Sequence, residues 1–461
     1  MFFVRYKKSL AAFSALFIFT GLVVSGGGDS KAYNAIAMAG VMVVFWIFEV
    51  VPIYATALIP LFLAVPLGLL DSTDLAKSYG NHNVYLFLGG FILALALEKW
   101  KVHHQIASRI IALFGSTKSR VLIGFGISAY ILSMWISNTA TTLMMLPMAL
   151  SIIQLQDKKD VDVQDRFPLL LMLTVAYASS IGGMATLVGS PPNTQMAATL
   201  SATYDLHITF VEWMCIGGPA SLILFLFFTL FFQYLLGKER SVMVKNEILQ
   251  SNWTKPQKRV SLLFACVVFL WIFRSNIVDW VQIEIKDATI AILGAFLLFL
   301  IPSDQNESLL KWHDTARIPW GILVLFGGGI ALALSLEKSN VLQYLAANSE
   351  FLNQWSLVFI LLVVIVVSLF ATELMSNLAL VSVLVPLVAV LAIQMGYGVF
   401  QLTVPLTLAA SCAFMMPVST PPNAIVFSSG KVTIGQMASI GFFLNIIAVL
   451  TLWGYCYFFL A

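Results

Sequence analysis

Four short polar motifs interrupt the apolar stretches of this chain, and they form two related pairs. Ser137-Asn138-Thr139 is echoed by Ser376-Asn377-Leu378, and Gly189-Ser190-Pro191-Pro192-Asn193 by Ser419-Thr420-Pro421-Pro422-Asn423. Their side chains offer hydroxyls and amides but no charge. Such oxygens, together with backbone carbonyls freed by a helix break, are hard donors that suit a small cation such as Na⁺. Each proline pair should break its helix, because proline lacks a donor and clashes with the preceding turn. The carbonyls before the break then lose their partners, and the next half-helix should open with free N–H groups suited to an anion. No Lys or Arg lies beside any of the four motifs, so an anionic substrate there would draw its counter-charge from bound cations. On this reading Asn138, Thr139, Asn377 and Thr420 orient carboxylates, while Ser133, Ser137, Thr372 and nearby carbonyls hold ions. Glu373, next to Thr372, is the intramembrane carboxylate close to a motif and a functional candidate by default. Taken singly, a Ser-Asn pair could merely cap a helix and a proline pair merely kink one.

The elements that position these motifs must lie in a membrane. Of 461 residues 60% are hydrophobic and 10% charged, against about 25% charged in a soluble domain, and the mean hydropathy is +0.92. A soluble enzyme, a disordered chain and a disulfide scaffold are excluded. A net charge of +3 from scattered basic residues argues against nucleic acid as a partner. Cys215, Cys266, Cys412 and Cys456 stand singly and no metal spacing or catalytic triad is present. Ser137 and Ser376 have no nearby His or Lys to activate them, which argues against an intramembrane hydrolase. Apolar runs near 9–25, 35–50, 52–70, 84–100, 167–200 and 211–236, then 260–277, 286–302, 320–337, 402–429 and 433–460, predict about eleven spans, the first retained rather than cleaved as a signal. Runs 119–154 and 356–395, each broken by Ser-Asn, predict re-entrant helical hairpins with tips at the midplane. Lys101–Phe114 reads as an amphipathic helix along a membrane face, and Glu98 and Glu337, beside Lys99 and Lys338, as interfacial. Alternating the spans places 20 of the 25 Lys and Arg in loops of one side, which the positive-inside rule makes the cytoplasmic side. The expectation is a multi-pass protein of the plasma (inner) membrane with its N-terminus cytoplasmic and its C-terminus outside.

The chain also repeats itself. Gly90 and Gly329, Glu98 and Glu337, Ser137 and Ser376, and Pro147 and Pro386 are all 239 residues apart, and the two Pro-Pro-Asn motifs are 230 apart. By the charge pattern the copies start on opposite sides. An N-terminal span over 1–30, a first inverted repeat over 31–236, a cytoplasmic linker over 237–259 and a second inverted repeat over 260–461 follow. The fold class is therefore an all-α polytopic membrane protein with two inverted repeats, two re-entrant hairpins and two broken helices. Inverted repeats with midplane breaks are the architecture of secondary transporters.

The paired Ser-Asn motifs, Gly-Ser-Pro-Pro-Asn, and Ser411-Cys-Ala-Phe-Met-Met-Pro-Val-Ser-Thr-Pro-Pro-Asn-Ala-Ile-Val426 resemble the divalent anion:sodium symporters, including INDY-type dicarboxylate and citrate transporters, over nearly the whole chain. The resemblance implies a homodimer in the lipid bilayer whose transport region slides past a scaffold in an elevator motion. It implies one Na⁺ site from Ser133, Ser137, Asn138 and the Gly189 carbonyl, and a second from Thr372, Asn377 and the carbonyls of Met375 and Ser419. Substrate carboxylates would meet Asn138, Thr139, Ser190, Pro191, Ser376, Asn377, Thr420 and Pro421. Leu378 stands where the family commonly has Thr, which removes one substrate-facing hydroxyl. The resemblance points to sodium-coupled uptake of a C4-dicarboxylate (succinate, fumarate or malate), with a sodium-independent dicarboxylate exchanger, or a citrate or sulfate symporter, as alternatives.

Overall fold

The computed structural model describes residues 2–25, 31–114, 117–156, 165–237, 252–304, 307–341 and 355–460. Among them the protein is helical without extended strands, with an isolated bridge between Pro302 and Ser308. Much of the expected 237–259 linker lies outside the described residues.

Each polar motif sits where a helix stops. The first hairpin has arms Lys118–Ser133 and Asn138–Gln156, and the second has arms Leu357–Thr372 and Asn377–Gln394. The broken helices are Phe167–Gly183 with Pro191–Tyr204, and Val399–Ala410 with Pro421–Ser428. Both second half-helices begin on their proline pairs, whose fixed φ suits the first helical turn and whose missing N–H costs nothing there.

Several expected spans are not straight helices. The 52–70 run forms only Ile53–Thr56 and Ile59–Leu63 before a series of turns, because Pro52, Pro60 and Pro66 interrupt helical bonding every few residues. The 260–277 run is helical as Lys255–Ile272 and then bends by 72° into Arg274–Val281. The second arm of the second hairpin, at 18 residues, is long enough to cross a bilayer by itself. By length and apolarity five segments of the described residues qualify as spans: Ser72–Lys99, which is interrupted at Gly80–Asn81, and Phe210–Leu236, Trp320–Lys338, Asn377–Gln394 and Ile434–Leu460. Several other apolar helices are shorter than a crossing, among them Lys31–Ile47, Phe167–Gly183, Asp287–Leu300 and Val399–Ala410.

The first hairpin packs on Phe167–Gly183 and the second on Val399–Ala410. Half-helix Pro421–Ser428 crosses over to the first hairpin's second arm, and Pro191–Tyr204 to the second hairpin's. The two breaks touch: Cys412 Sγ lies 4.0 Å from Met184 Sδ, and Tyr177 donates its hydroxyl to the Phe414 carbonyl at 2.6 Å. All four motifs therefore meet at one level of the bundle. Loops that share the basic side in sequence gather at one end, as Lys118 pairs with Asp165 at 2.6 Å, Arg109 stacks 5.1 Å over Trp253, and Gln233 donates to the Ser119 carbonyl. At that end Val102–Phe114 forms the expected surface helix, burying Val102, Ala107 and Ile111 and exposing His104 and Arg109.

Candidate functional site

The first hairpin turns through Met134–Ser137. Ser137 does cap the second arm, accepting the Ala140 N–H on its hydroxyl at 3.3 Å and the Thr141 N–H on its carbonyl at 3.0 Å. The N–H groups of Asn138 and Thr139 precede that first helical bond and have no helical partner. In the amide orientation that satisfies its surroundings, Asn138 Nδ2 donates to Ser133 Oγ at 2.6 Å, the Ser179 carbonyl at 3.2 Å and the Gly189 carbonyl at 3.3 Å. Three oxygens from the tip, the broken helix and its break thus converge on one point, a donor set that could also hold a small cation. Two glycines permit the approach. A Cβ at Gly183 would collide with the Asn138 amide, and one at Gly189 would lie 2.7 Å from the Gly183 carbonyl.

The second tip repeats the pattern with different residues. Thr372 Oγ1 lies 2.6 Å from Asn377 Oδ1 and 2.9 Å from the Ala410 carbonyl. Leu380 makes the first helical bond, to the Ser376 carbonyl at 2.9 Å, so the N–H groups of Asn377, Leu378 and Ala379 lack helical partners.

Each break is closed by the asparagine of its Pro-Pro-Asn motif, a role the sequence reading did not assign. Asn193 Nδ2 donates to the carbonyls of Gly183 (3.0 Å) and Thr186 (2.8 Å), and Asn423 Nδ2 to those of Ala413 (3.0 Å) and Met416 (3.1 Å). The separations are ten and seven residues in both. Repetition of the Asn itself was the available signal. Both side chains are fully buried.

Half-helices that open with free N–H groups, as expected from the prolines, are not what the breaks provide. Their first two positions are prolines without N–H. The third donor is already used, Asn193 to the Ser190 carbonyl at 3.1 Å and Asn423 to the Thr420 hydroxyl at 3.4 Å. Donors to an anion reduce to hydroxyls, side-chain amides and the tip N–H groups.

Glu373 is also placed differently from a group aimed at a ligand. Its carboxylate accepts the backbone N–H groups of Phe414 (2.7 Å), Met415 (2.9 Å) and Met416 (3.1 Å) and the Asn445 amide (2.8 Å). It pins the second tip to the second break. Glu98 is exposed and Glu337 half-buried at their helix ends, as expected of interfacial acids.

The structure brings Ser133, Asn138 and Gly189 into direct contact, and Thr372 with Asn377. Ser419 instead donates to the Met416 carbonyl at 2.6 Å. Thr139, Met375 and Ser376 lie half-buried in the tips, Ser190 and Thr420 are buried at the breaks, Pro191 is half-buried and Pro421 exposed. Leu378 is buried in the apolar cluster that contains Phe87 and Phe326. Among the described residues no group of three His, Cys, Asp or Glu could hold a metal ion.

Comparison with known proteins assigns the chain to a family. Residues 4–459 match the family described as the sodium:sulfate symporter transmembrane region. The sodium-dependent dicarboxylate transporter SdcS of Staphylococcus saprophyticus is 35% identical over 457 residues, covering 95% of this chain and 88% of its own. SdcS of Staphylococcus aureus is 35% identical over 439 residues, covering 91% and 84%. Among solved structures, the YdaH transporter of Alcanivorax borkumensis, described as having an unusual topology, superposes with a TM-score of 0.57 over 85% of this chain and 90% of its own at 14% identity, a likeness of fold alone. The chain belongs to the sodium:sulfate symporter family, and is a sodium-coupled membrane transporter rather than an enzyme.

Proposed function

We propose that this protein takes up C4-dicarboxylates such as succinate, fumarate and malate together with Na⁺ by alternating access. The observation that carries the reading is the convergence of uncharged oxygens on Asn138, Ser133 Oγ with the Ser179 and Gly189 carbonyls, at a place without a basic side chain. A dicarboxylate there gains its counter-charge from the ions that bind with it. Two relatives named as sodium-dependent dicarboxylate transporters support the choice of substrate class.

In this reading the first ion is held by Ser133, Ser137, Asn138 and the Gly189 carbonyl, and the second by Thr372, Asn377 and the carbonyls of Met375 and Ser419. The substrate spans the tips, with Asn138, Thr139 and Ser190 on one carboxylate and Ser376, Asn377 and Thr420 on the other, against Pro191 and Pro421. The inverted repeats are 31–236 and 260–461, the N-terminus is cytoplasmic and the C-terminus outside, and the protein works as a homodimer. Hairpins and broken helices slide together as an elevator. Exposure of Pro421, Ala424 and Ser428, set against the buried run Pro192–Thr199, supports a site open toward the basic, cytoplasmic end.

The test is uptake of labelled succinate into proteoliposomes with an inward Na⁺ gradient. Uptake should fall to background when choline replaces Na⁺. Equal uptake in choline would overturn the coupling and favour a sodium-independent exchanger, and stronger competition by sulfate or citrate than by fumarate would overturn the substrate class.

A further inference from the structure

Helices His82–Lys99 and Trp320–Lys338 end alike. Each closes on Glu-Lys, and two residues beyond the lysine the backbone turns left-handed, at Lys101 and at Asn340, both with φ 55°. From each corner the chain runs on toward a hairpin. The first passes through the Val102–Phe114 surface helix to the arm that starts at Lys118, and the second leads to the arm that starts at Leu357.

The two lysines are held reciprocally. Lys99 Nζ lies 2.6 Å from Asp314 Oδ2, and Lys338 Nζ pairs with Asp74 Oδ2. Each acid belongs to the other half of the chain. The lysines are 239 residues apart and the acids 240, so one arrangement occurs twice with its partners exchanged. Asp314 lies among the basic loops and Asp74 at the opposite end. Both acids are fixed locally: Asp314 also accepts the Lys311 N–H at 2.8 Å, and the Asp74 N–H donates to the helix-capping Asp71 at 2.7 Å.

The first corner is further braced. At the first, Trp100 donates its indole N–H to the Leu309 carbonyl (3.0 Å), Gln257 donates to the Trp100 carbonyl (2.9 Å), and His103 Nδ1 lies 2.9 Å from the Leu97 carbonyl. At the second, Ser339 Oγ is buried without a hydrogen-bond partner.

We propose that Lys99–Asp314 and Lys338–Asp74 are reciprocal anchors, one at each end of the molecule, that clamp the two frame helices to the opposite half so that the hairpins move against a fixed frame. They are positioning residues, distant from the ions and the substrate. The proposal rests on the transport reading above for its kinetic consequence, but not for its structural one.

In proteoliposomes, Lys338→Met, Asp74→Asn, Lys99→Met and Asp314→Asn should each lower turnover by about twofold to fivefold. The KM values for succinate and Na⁺ should stay unchanged in all four. The exchanged pair Lys338→Asp with Asp74→Lys should recover turnover toward the parent. A second readout needs no transport. With Cys215 and Cys266 replaced by Ser, spin labels at Tyr85 on the frame and Val367 on the second hairpin report their separation. That distance distribution should broaden in Lys338→Met and narrow again in the exchanged pair. Unchanged turnover and distances, a KM shift at constant turnover, or no recovery by exchange would each overturn the anchors. Absence of succinate uptake by the parent protein would instead count against the proposed function, leaving the distances to decide the anchors.

Discussion

The two breaks that face each other at the centre of the molecule are solved by different chemistry. In the first, helix Phe167–Gly183 ends late, and the N–H groups of Met184 and Ala185 still reach the Ile181 and Gly182 carbonyls at 3.2 and 3.1 Å. In the second, helix Val399–Ala410 unwinds sooner, three residues before the position equivalent to Gly183, which is Ala413. The N–H groups of Phe414, Met415 and Met416 are then taken by the Glu373 carboxylate. Its counterpart in the first tip, 239 residues earlier, is Met134, whose backbone carbonyl accepts the Thr186 hydroxyl. An acid in one tip thus does the work of the last helical turn in the other. Packing differs as well. The first tip closes against Gly182, Gly183 and Gly189, whereas the equivalent positions in the second are Cys412, Ala413 and Ser419. A tight, uncharged sub-site faces a looser one braced by a buried carboxylate.

The largest effect should come from the amides at the two tips. Asn138→Ala and Asn377→Ala each remove a group proposed to serve both an ion and a carboxylate. Two charge-assisted bonds at about 1.5–3 kcal/mol apiece correspond to a loss of at least about 100-fold in transport. A residue that only caps a helix costs about 0.5–2 kcal/mol of stability and leaves transport intact. Uptake by either variant, purified at normal yield, distinguishes the two, and near-normal rates in one alone would show that a single tip does the binding.

Gly183→Ala comes next, because its new Cβ would meet the Asn138 amide while Ala413 already carries one at the matching place. Overpacking of this kind costs about 1–3 kcal/mol. The expected result is a loss of about tenfold or more in apparent Na⁺ affinity, read from the Na⁺ dependence of uptake. The reverse change, Ala413→Gly, should leave that dependence nearly unaltered. Equal effects of the two would erase the packing difference between the sub-sites.

Glu373 separates bracing from binding. Glu373→Ala leaves the backbone donors of buried Phe414 and half-buried Met415 and Met416, together with the Asn445 amide, unpaired, and at about 1–3 kcal/mol for each lost partner it should destabilise by about 4 kcal/mol or more, read from a thermal melt in detergent. Glu373→Gln keeps an acceptor and should lose less than half as much. Thr186→Val, which removes the corresponding link in the first half, should cost only about 1 kcal/mol. If Glu373→Gln melts like the parent but shifts Na⁺ dependence strongly, the carboxylate acts on the ion and not on the loop.

Much of this was legible from residue order. Recurrence of Ser-Asn and Pro-Pro-Asn located both tips and both breaks, because a polar group at membrane depth stands out against an apolar background. Proline spacing at 52, 60 and 66 also foretold a broken segment that run length concealed, and the missing N–H of a proline pair is a fact of composition. Other features were not local. The 72° bend at Phe273 has no glycine or proline to announce it. Glu373 reads as a free intramembrane acid until Asn445, 72 residues away, is brought beside it. Reciprocal pairing of Lys99 and Lys338 likewise depends on how the halves are laid together.

The smallest expected effect tests Leu378, the third position of the second motif. Its counterpart Thr139 offers a hydroxyl at the proposed substrate site, so Leu378→Thr should make the sub-sites more alike. A hydrogen bond to a charged carboxylate is worth about 1.5–3 kcal/mol. Leu378, however, is 6% exposed and packs with Phe87, Phe326 and Val383, and exchanging it for a smaller polar residue forfeits apolar burial of about 1.5–3 kcal/mol. The two terms act on different quantities, the lost packing on stability and the new hydroxyl on selectivity, because only the hydroxyl distinguishes a second carboxylate from a methyl group. Competition of labelled uptake by succinate and by butyrate, compared between the parent and Leu378→Thr, isolates that term. The ratio should move modestly toward succinate while the melting temperature falls. An unmoved ratio would place residue 378 wholly in the apolar frame, and the difference between the two tips would then lie in packing alone.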